Sequence, residues 1–275
     1  MISLVKSILT KFTGDKFFHS SLLTDIEEVN FKLRNLGLGN YGNLEITGES
    51  YLLQRLGLLI THKNPIIFDV GANIGSVRQY KNYIRQTFQS GKIYAFEPNP
   101  FAYQALCSAT NNDTMQYNLQ FALGEKIGRT KHYSYSSLEK TELASSNKQI
   151  FADILKSKEA LTCYEVKVTT IDSYCKKHQI KHINYLKIDV EGSEYDVLKG
   201  AKKMLSAKSI DYIQFEFNIH NIYSRIFIKD YFDLLKGYHF YRLAQNRLIP
   251  LGKYSTDYEV FRYQNILATK FVLKA

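Results

Sequence analysis

The chain predicts an α/β fold: a mostly parallel sheet with helices on both faces, closed by a C-terminal antiparallel hairpin. Two observations carry this. Between about residues 65 and 220, short apolar runs alternate with helical patterns, as strand–helix–strand crossovers require. The first of these runs, Ile66-Ile67-Phe68-Asp69-Val70, ends in Gly71-Ala72-Asn73-Ile74-Gly75, a tight turn that opens a helix.

The elements follow in order. Residues 1–60 read as a helical extension. Ile2, Val5, Leu9 and Phe12 recur at helical spacing with Lys6 and Lys11 off that face, and Gly37, Gly39 and Gly42 mark a loop. The pattern suits a helix packed on the core; its alternative is a basic amphipathic helix resting on a membrane surface. Glu49 to Ile60 is a helix with Leu52, Leu56 and Leu59 inward. The main domain spans residues 61–275. Strand one is Ile66–Val70, followed by a helix from about Ser76 to Phe88. Strand two is Lys92–Phe96, and a helix follows Pro98 and Pro100. Strand three runs from about Met115 to Leu123. Residues 129–163 are polar, rich in Ser and Lys, and predict an insertion or lid. Val166–Ile171 alternates like a strand. Asn184–Val190 is strand four, with a helix over Tyr195–Leu205, and Ile210–Phe217 is strand five. Tyr238–Leu243 and Tyr258–Ala268, joined at Pro250 and Gly252, complete seven strands.

Composition narrows the function classes. With 275 residues, 45% hydrophobic and 23% charged, the chain is that of an ordinary globular protein. Its formal charge of +10 is compatible with nucleic acid, an anionic membrane face or anionic substrates, but the lysines are scattered rather than blocked. Cys107, Cys163 and Cys175 have no metal-ligand spacing and cannot all pair, which suggests a reducing compartment. Without a membrane-length apolar run or a signal-peptide core, the expected location is the cytoplasm, with the inner membrane face as an option.

Two constellations carry chemistry. In the first, glycines let a ligand lie against the backbone after strand one. A second acid, Glu97, stands 28 positions after Asp69 at the tip of strand two, where a ribose would have its hydroxyls held. A nicotinamide site usually shows Gly-x-Gly-x-x-Gly. The spacing here suits S-adenosylmethionine (SAM) better. The second is Lys187-Ile188-Asp189-Val190-Glu191-Gly192-Ser193-Glu194. Alternation along a strand puts Lys187, Asp189 and Glu191 on one face, at the carboxyl edge where open parallel sheets bind ligands. Glu194 and Asp196 read as acids that stabilise a helix start.

These pieces resemble the FkbM-type family of class I, SAM-dependent methyltransferases. The resemblance rests on Phe68–Gly75, Ala95-Phe96-Glu97-Pro98-Asn99-Pro100, Ala122-Leu123-Gly124, Val166–Ser173, Leu186–Ala201, Gly237-Tyr238 and Asn265–Ala268. It implies a Rossmann-like domain and O-methylation of a sugar, glycan, glycolipid or natural-product hydroxyl. It further implies that Asp69, Gly71, Asn73 and Gly75 line the methionine end of SAM. Glu97, followed by Pro98, would take the ribose; Gln120, Phe121 and Ala122 the adenine. Asp189 and Glu191 would face the methyl and the acceptor. A hydroxyl is barely acidic, so a base must take its proton. The candidates are Glu191, His220 at the end of strand five, and Asp189. No metal is expected, since Asp189 with Glu216 or Asn218 forms no tight ligand motif.

The rivals are an RNA ribose 2′-O-methyltransferase, suggested by Lys187, Asp189 and Glu191, and a non-catalytic protein that binds through this fold. Base-methylating enzymes usually show Asn/Asp-Pro-Pro-Tyr or a Pro-Cys pair, and neither occurs. Nucleic acid is therefore the less favoured partner. The expected partner is a small-molecule or glycan acceptor, with peripheral membrane contact through the N-terminal helix as the alternative for that segment.

Overall fold

The structure, a computed structural model, describes Leu33 and residues 36–39, 42–73, 83–135 and 161–274. The N-terminal helix expected around Ile2–Phe12, the second glycine of the turn (Gly75) and residues 136–160 of the expected lid lie outside the described residues.

Helix α1 (Glu49–Leu59) precedes strand β1 (Ile66–Val70). Residues 83–87 are helical, and strand β2 (Lys92–Phe96), helix α2 (Pro100–Ala109) and strand β3 (Gln116–Leu119) follow. Strands β4 (Ala122–Leu123), β5 (Gly128–Tyr135) and β6 (Leu161–Thr169) lead into helix α3 (Ile171–Lys177). Strand β7 (Ile183–Ile188), helices α4 (Glu194–Lys199) and α5 (Lys202–Ser206) and strand β8 (Ile210–Phe217) continue the alternation. Helices α6 (His220–Ser224) and α7 (Ile228–Leu234) precede strands β9 (His239–Ala244), β10 (Arg247–Pro250) and β11 (Gln264–Thr269).

The main sheet has eight strands in the order β10-β9-β11-β8-β7-β1-β2-β3. From β8 to β3 every pairing is parallel. The C-terminal strands β9, β10 and β11 pair antiparallel. Strand order therefore reverses at β1, which has β2 on one side and β7 on the other. Crevices for ligands open at such a reversal, beyond the carboxyl ends of the strands.

The parallel strands are buried on both faces, so their side chains split between two apolar layers. Phe68 and Val70 of β1, Leu186 and Ile188 of β7 and Phe215 and Phe217 of β8 pack with Val197, Leu198, Leu205 and Tyr231 from the helices of one face. Ile67, Tyr185 and Tyr212 point the other way and pack with Leu52, Leu53 and Leu56 of α1 and with Ile84.

Four departures from the expected elements have local causes. The sheet holds eight strands rather than seven, because Arg247–Pro250 pairs with β9 instead of serving as a bare turn. Pro250 is accommodated there because β10 is an edge strand, where a missing N–H leaves no partner stranded. The expected third strand breaks at Gln120 and Phe121. Its first half stays in the main sheet, while β4 joins a second sheet ordered β4-β6-β5. The polar 129–163 stretch is likewise more than a loop at its ends: β5 and β6 pair antiparallel over Gly128–Tyr135 and Leu161–Val168. Finally, the helix expected over Tyr195–Leu205 is two short helices interrupted at Gly200 and Ala201.

Candidate active site

The site is built at the reversal between β1 and β7. Gly71 leaves β1 with φ +83°, and its N–H and that of Ala72 both donate to the Phe96 carbonyl. A Cβ at Gly71 would lie 1.8 Å from the Asp189 carbonyl oxygen, so only glycine lets these two strand ends approach. Asp189 in turn donates its N–H to the Val70 carbonyl. These backbone bonds set Asp69, Gly71, Glu97 and Asp189 side by side along one edge.

Glu97 is only 5% exposed. Its Oε2 accepts from the Asn73 N–H at 2.8 Å and its Oε1 from the Asn99 N–H at 2.7 Å. Burial pushes its carboxyl up to about 7, and nearby Asp69 and Asp189 push the same way against those two hydrogen bonds. Asn99 caps α2 by accepting from Phe101 and Ala102 N–H, and its amide donates to Ser134 of β5. The second sheet is thereby tied to the tip of β2. Pro98 is half-buried beside it, and Ala122 and Val190 line a cavity of about 300 Å³ between the 122–130 segment and the loop after β7. Gln120 is exposed. The Phe121 ring packs on Phe96 and Tyr174 instead, with centroids 5.6 and 5.9 Å away. Only Gly75 among the candidate residues lies outside the description.

The second constellation closes the other side. Lys187 is buried and donates to Asp189 Oδ2 at 3.0 Å, and its amine lies 3.6 Å from Glu49 Oε1. Burial disfavours its charge, but Asp189, Glu49 and Asp69 outweigh this and raise its affinity for the proton well above that of an ordinary lysine. Glu194 is not a mere surface acid at a helix start. Its buried carboxylate accepts from the Val190 and Gly192 N–H groups and so folds the 190–192 loop back on α4. Burial lifts that carboxyl to about 7.

The loop after β7 and the loop after β8 meet at Glu191 and His220. Glu191 takes the left-handed conformation, φ +54°, which strains a residue with a side chain. Gly192 follows at φ +101°, and a Cβ there would lie 3.0 Å from His220 Cβ. His220 Nδ1 sits 2.7 Å from Glu191 Oε2, within ion-pair distance though not aligned as a hydrogen bond. The His220 and Glu191 side chains retain 12% and 22% exposure respectively, so the pair is reachable from solvent rather than sealed in the core. Burial disfavours the imidazolium, but Glu191, Glu194 and Asp189 together raise its proton affinity. The Asn218 side chain accepts from the His220 N–H at 2.8 Å. Glu216 lies beneath and hydrogen-bonds to Tyr263; burial first, then Asp189 and Glu191, hold its carboxyl well above the ordinary range. Among the described residues no three His, Cys, Asp or Glu side chains group as a metal site.

Sequence reasoning missed Glu49, Gln214, Asn265 and Tyr263. Gln214 donates to Glu49 Oε1 and Asn265 Oδ1 and accepts from the Tyr185 hydroxyl. The only cue was a polar residue inside the apolar run Ile210–Phe217. Glu49 looked like any acid opening a helix.

This strand order and this edge of glycine turn, buried acid and carboxyl-end acids are those of a Rossmann-like, class I methyltransferase. The methyltransferase FkbM domain model matches residues 69–239, and the chain belongs to that family. S-adenosyl-L-methionine is its cofactor, and the residues fit it: a buried acid for a ribose beside a glycine turn on which a ligand can lie. The chain is 26% identical over 159 residues to the methyltransferase sdnD of Sordaria araneosa, covering 50% of this chain and 60% of that one. It is 26% identical over 168 residues to the 2-O-methyltransferase NoeI of Sinorhizobium fredii, covering 57% and 65%. It thus spans less than two thirds of either relative. The N-terminal domain of human METTL16 aligns at 8% identity with a TM-score of 0.41, over 88% of this chain and 79% of that one. Aeropyrum pernix fibrillarin with natively bound SAM aligns at 13% and 0.41, over 78% and 74%. Likeness that slight bears on neither site nor substrate.

Proposed function

We propose that this chain transfers the methyl group of SAM to a hydroxyl oxygen of a sugar, glycan or glycolipid, with His220 as the general base. The observation that carries this reading is the Glu191–His220 pair standing on the cofactor edge. When bound, SAM supplies an electrophilic methyl on a positively charged sulfur. Gly71 and Asn73 would shape the turn that holds the donor, and Glu97 would accept from its ribose hydroxyls. Glu191, at ion-pair distance from Nδ1, would stabilise the imidazolium that forms as Nε2 takes the acceptor hydroxyl's proton. Asp189, held by Lys187, borders the same space and contributes negative potential. Orienting the acceptor oxygen for attack would supply much of the acceleration. The similarity to NoeI, a 2-O-methyltransferase, supports an oxygen acceptor.

The RNA ribose reading is less well supported. It asks Lys187 to face the acceptor, whereas the Lys187 amine lies between Asp189 and Glu49. No helix among the described residues is long and apolar enough to cross a membrane. We propose a cytoplasmic location, with the inner face of a membrane as the alternative. The test is mass spectrometry of products formed from isotopically labelled SAM with extracted glycans, glycolipids or RNA. Label on a glycan or glycolipid hydroxyl supports the proposal. Label confined to RNA overturns it.

A further inference from the structure

Glu49 lies outside the residues that match the family, twenty positions before Asp69, where that match begins, yet its carboxylate is buried beneath the catalytic edge. Its place is tightly determined. Gly48, at φ +83°, packs so closely on the end of β9 that a Cβ would lie 2.5 Å from the Ala244 carbonyl oxygen. That contact aims the first residue of α1 under the sheet edge. Glu49 Oε1 then accepts from Gln214 Nε2 at 2.9 Å, and Oε2 accepts from the Thr47 hydroxyl at 3.0 Å. Gln214 is itself held by Asn265 and by the Tyr185 hydroxyl. On its open side Glu49 meets Lys187, which reaches on to Asp189.

A buried ammonium directly under a site for a positively charged sulfur is at odds with that ligand. Two carboxylates in contact with the ammonium resolve the conflict. If Lys187 had only Asp189, the pair would be neutral and the edge would offer the sulfonium little attraction. With Glu49 added, and Asp69 close by, three carboxylates surround one ammonium, and the edge stays net negative. In a buried site such charges are only weakly screened. We propose that Glu49 is a positioning residue of the donor site: it shares the charge of Lys187, so that Asp189 keeps its place and its negative potential toward the sulfonium. The consequence is selectivity for the charged donor over its neutral, demethylated product. This rests on the methyl-transfer reading above.

The experiment is calorimetric titration of the full chain with SAM and, separately, with S-adenosylhomocysteine, which lacks the positive charge. Thermal unfolding of each variant shows that it is folded. Glu49→Gln keeps the size and a hydrogen-bond acceptor for Gln214 but removes the charge. It should lower the ratio of SAM to S-adenosylhomocysteine affinity by about tenfold. Glu49→Asp keeps the charge and should keep most of the preference. Lys187→Met removes the opposing charge and should raise the ratio. An unchanged ratio in folded Glu49→Gln, or equal losses for both ligands, overturns the proposal. Should Glu49→Gln fail to fold, Lys187→Met decides, and an unchanged or lowered ratio there is equally fatal. Wild-type protein that binds neither ligand would instead remove the methyl-transfer reading itself.

Discussion

His220 sits between opposing influences: burial disfavours its charge, while Glu191, Glu194 and Asp189 favour it, and the acids prevail. A base must be neutral to act. Turnover should therefore rise with pH through a value above that of an ordinary histidine. His220→Ala should lower turnover by about 10²- to 10⁴-fold with SAM affinity nearly unchanged. Glu191→Gln should both slow the reaction and move the rising limb to lower pH, because the imidazolium loses its main partner. Steady-state pH–rate profiles of the three proteins check this; superimposable wild-type and Glu191→Gln profiles would remove Glu191 from the mechanism. Both residues were legible as candidates because acids and histidines at carboxyl strand ends are suspicious wherever a cofactor turn is near. What could not be read was their division of labour. Whether Glu191 faces the acceptor or the His220 ring depends on a left-handed backbone turn and on a contact between residues 29 positions apart.

At the scale of elements, α1 shows how function and packing share one segment. Its inward residues Leu52, Leu53 and Leu56 are fully buried against Ile67, Tyr185 and Tyr212, while its first residue supplies Glu49 to the polar network. Leu53→Ala should lower unfolding free energy by about 2–5 kcal/mol, measured by urea denaturation. A loss under 1 kcal/mol would mean that α1 is an accessory to the sheet and not part of its core. Of the leucines expected inward, Leu52 and Leu56 are buried, but Leu59 is exposed, and Leu53 takes its place in the core. Their partners could not be read from spacing. The split of the third strand at Gln120 and Phe121 was also invisible, since apolar alternation reports that a strand exists but not which sheet it joins. The same holds for β5 and β6. Their polar, half-exposed residues resemble a loop until the backbone pairing of Gly128–Tyr135 with the following strand is seen.

Across the whole molecule, the site is a concentration of buried ionisable groups, and this has a consequence for stability. Glu97 and Glu194 are raised to about 7, Glu216 is held well above the ordinary carboxylate range, and His220 is raised above its ordinary value. For the three acids, the folded chain holds protons that the unfolded chain releases at a carboxylate's ordinary pKa. Stability therefore falls as pH rises from there toward 7 and beyond. The His220 contribution has the same sign: it is complete below the ordinary histidine value and lost as pH rises through the raised one. Buried His132, lowered to about 4, works the opposite way below the ordinary histidine value. The four raised groups outnumber it, so the free protein should melt higher near pH 5.5 than near pH 8, as read by differential scanning calorimetry. A higher melting temperature at pH 8 would mean that these carboxyls are ionised in the folded protein without cost. Stability given up at neutral pH is consistent with an edge arranged for a charged ligand rather than for packing.

Periodicity and punctuation in the chain were enough to establish the alternating architecture, the glycine turn after the first strand and the acid at the tip of the second. Each is a local property, governed by side-chain alternation, by the backbone freedom of glycine and by distances of a few residues. Tertiary structure alone decided what those acids do. It set Gly71 against Asp189, Glu191 against His220, and Glu49 beneath Lys187. Hydrogen bonding and charge act through space over a few ångströms, and only the folded sheet brings positions so far apart in the chain within that reach.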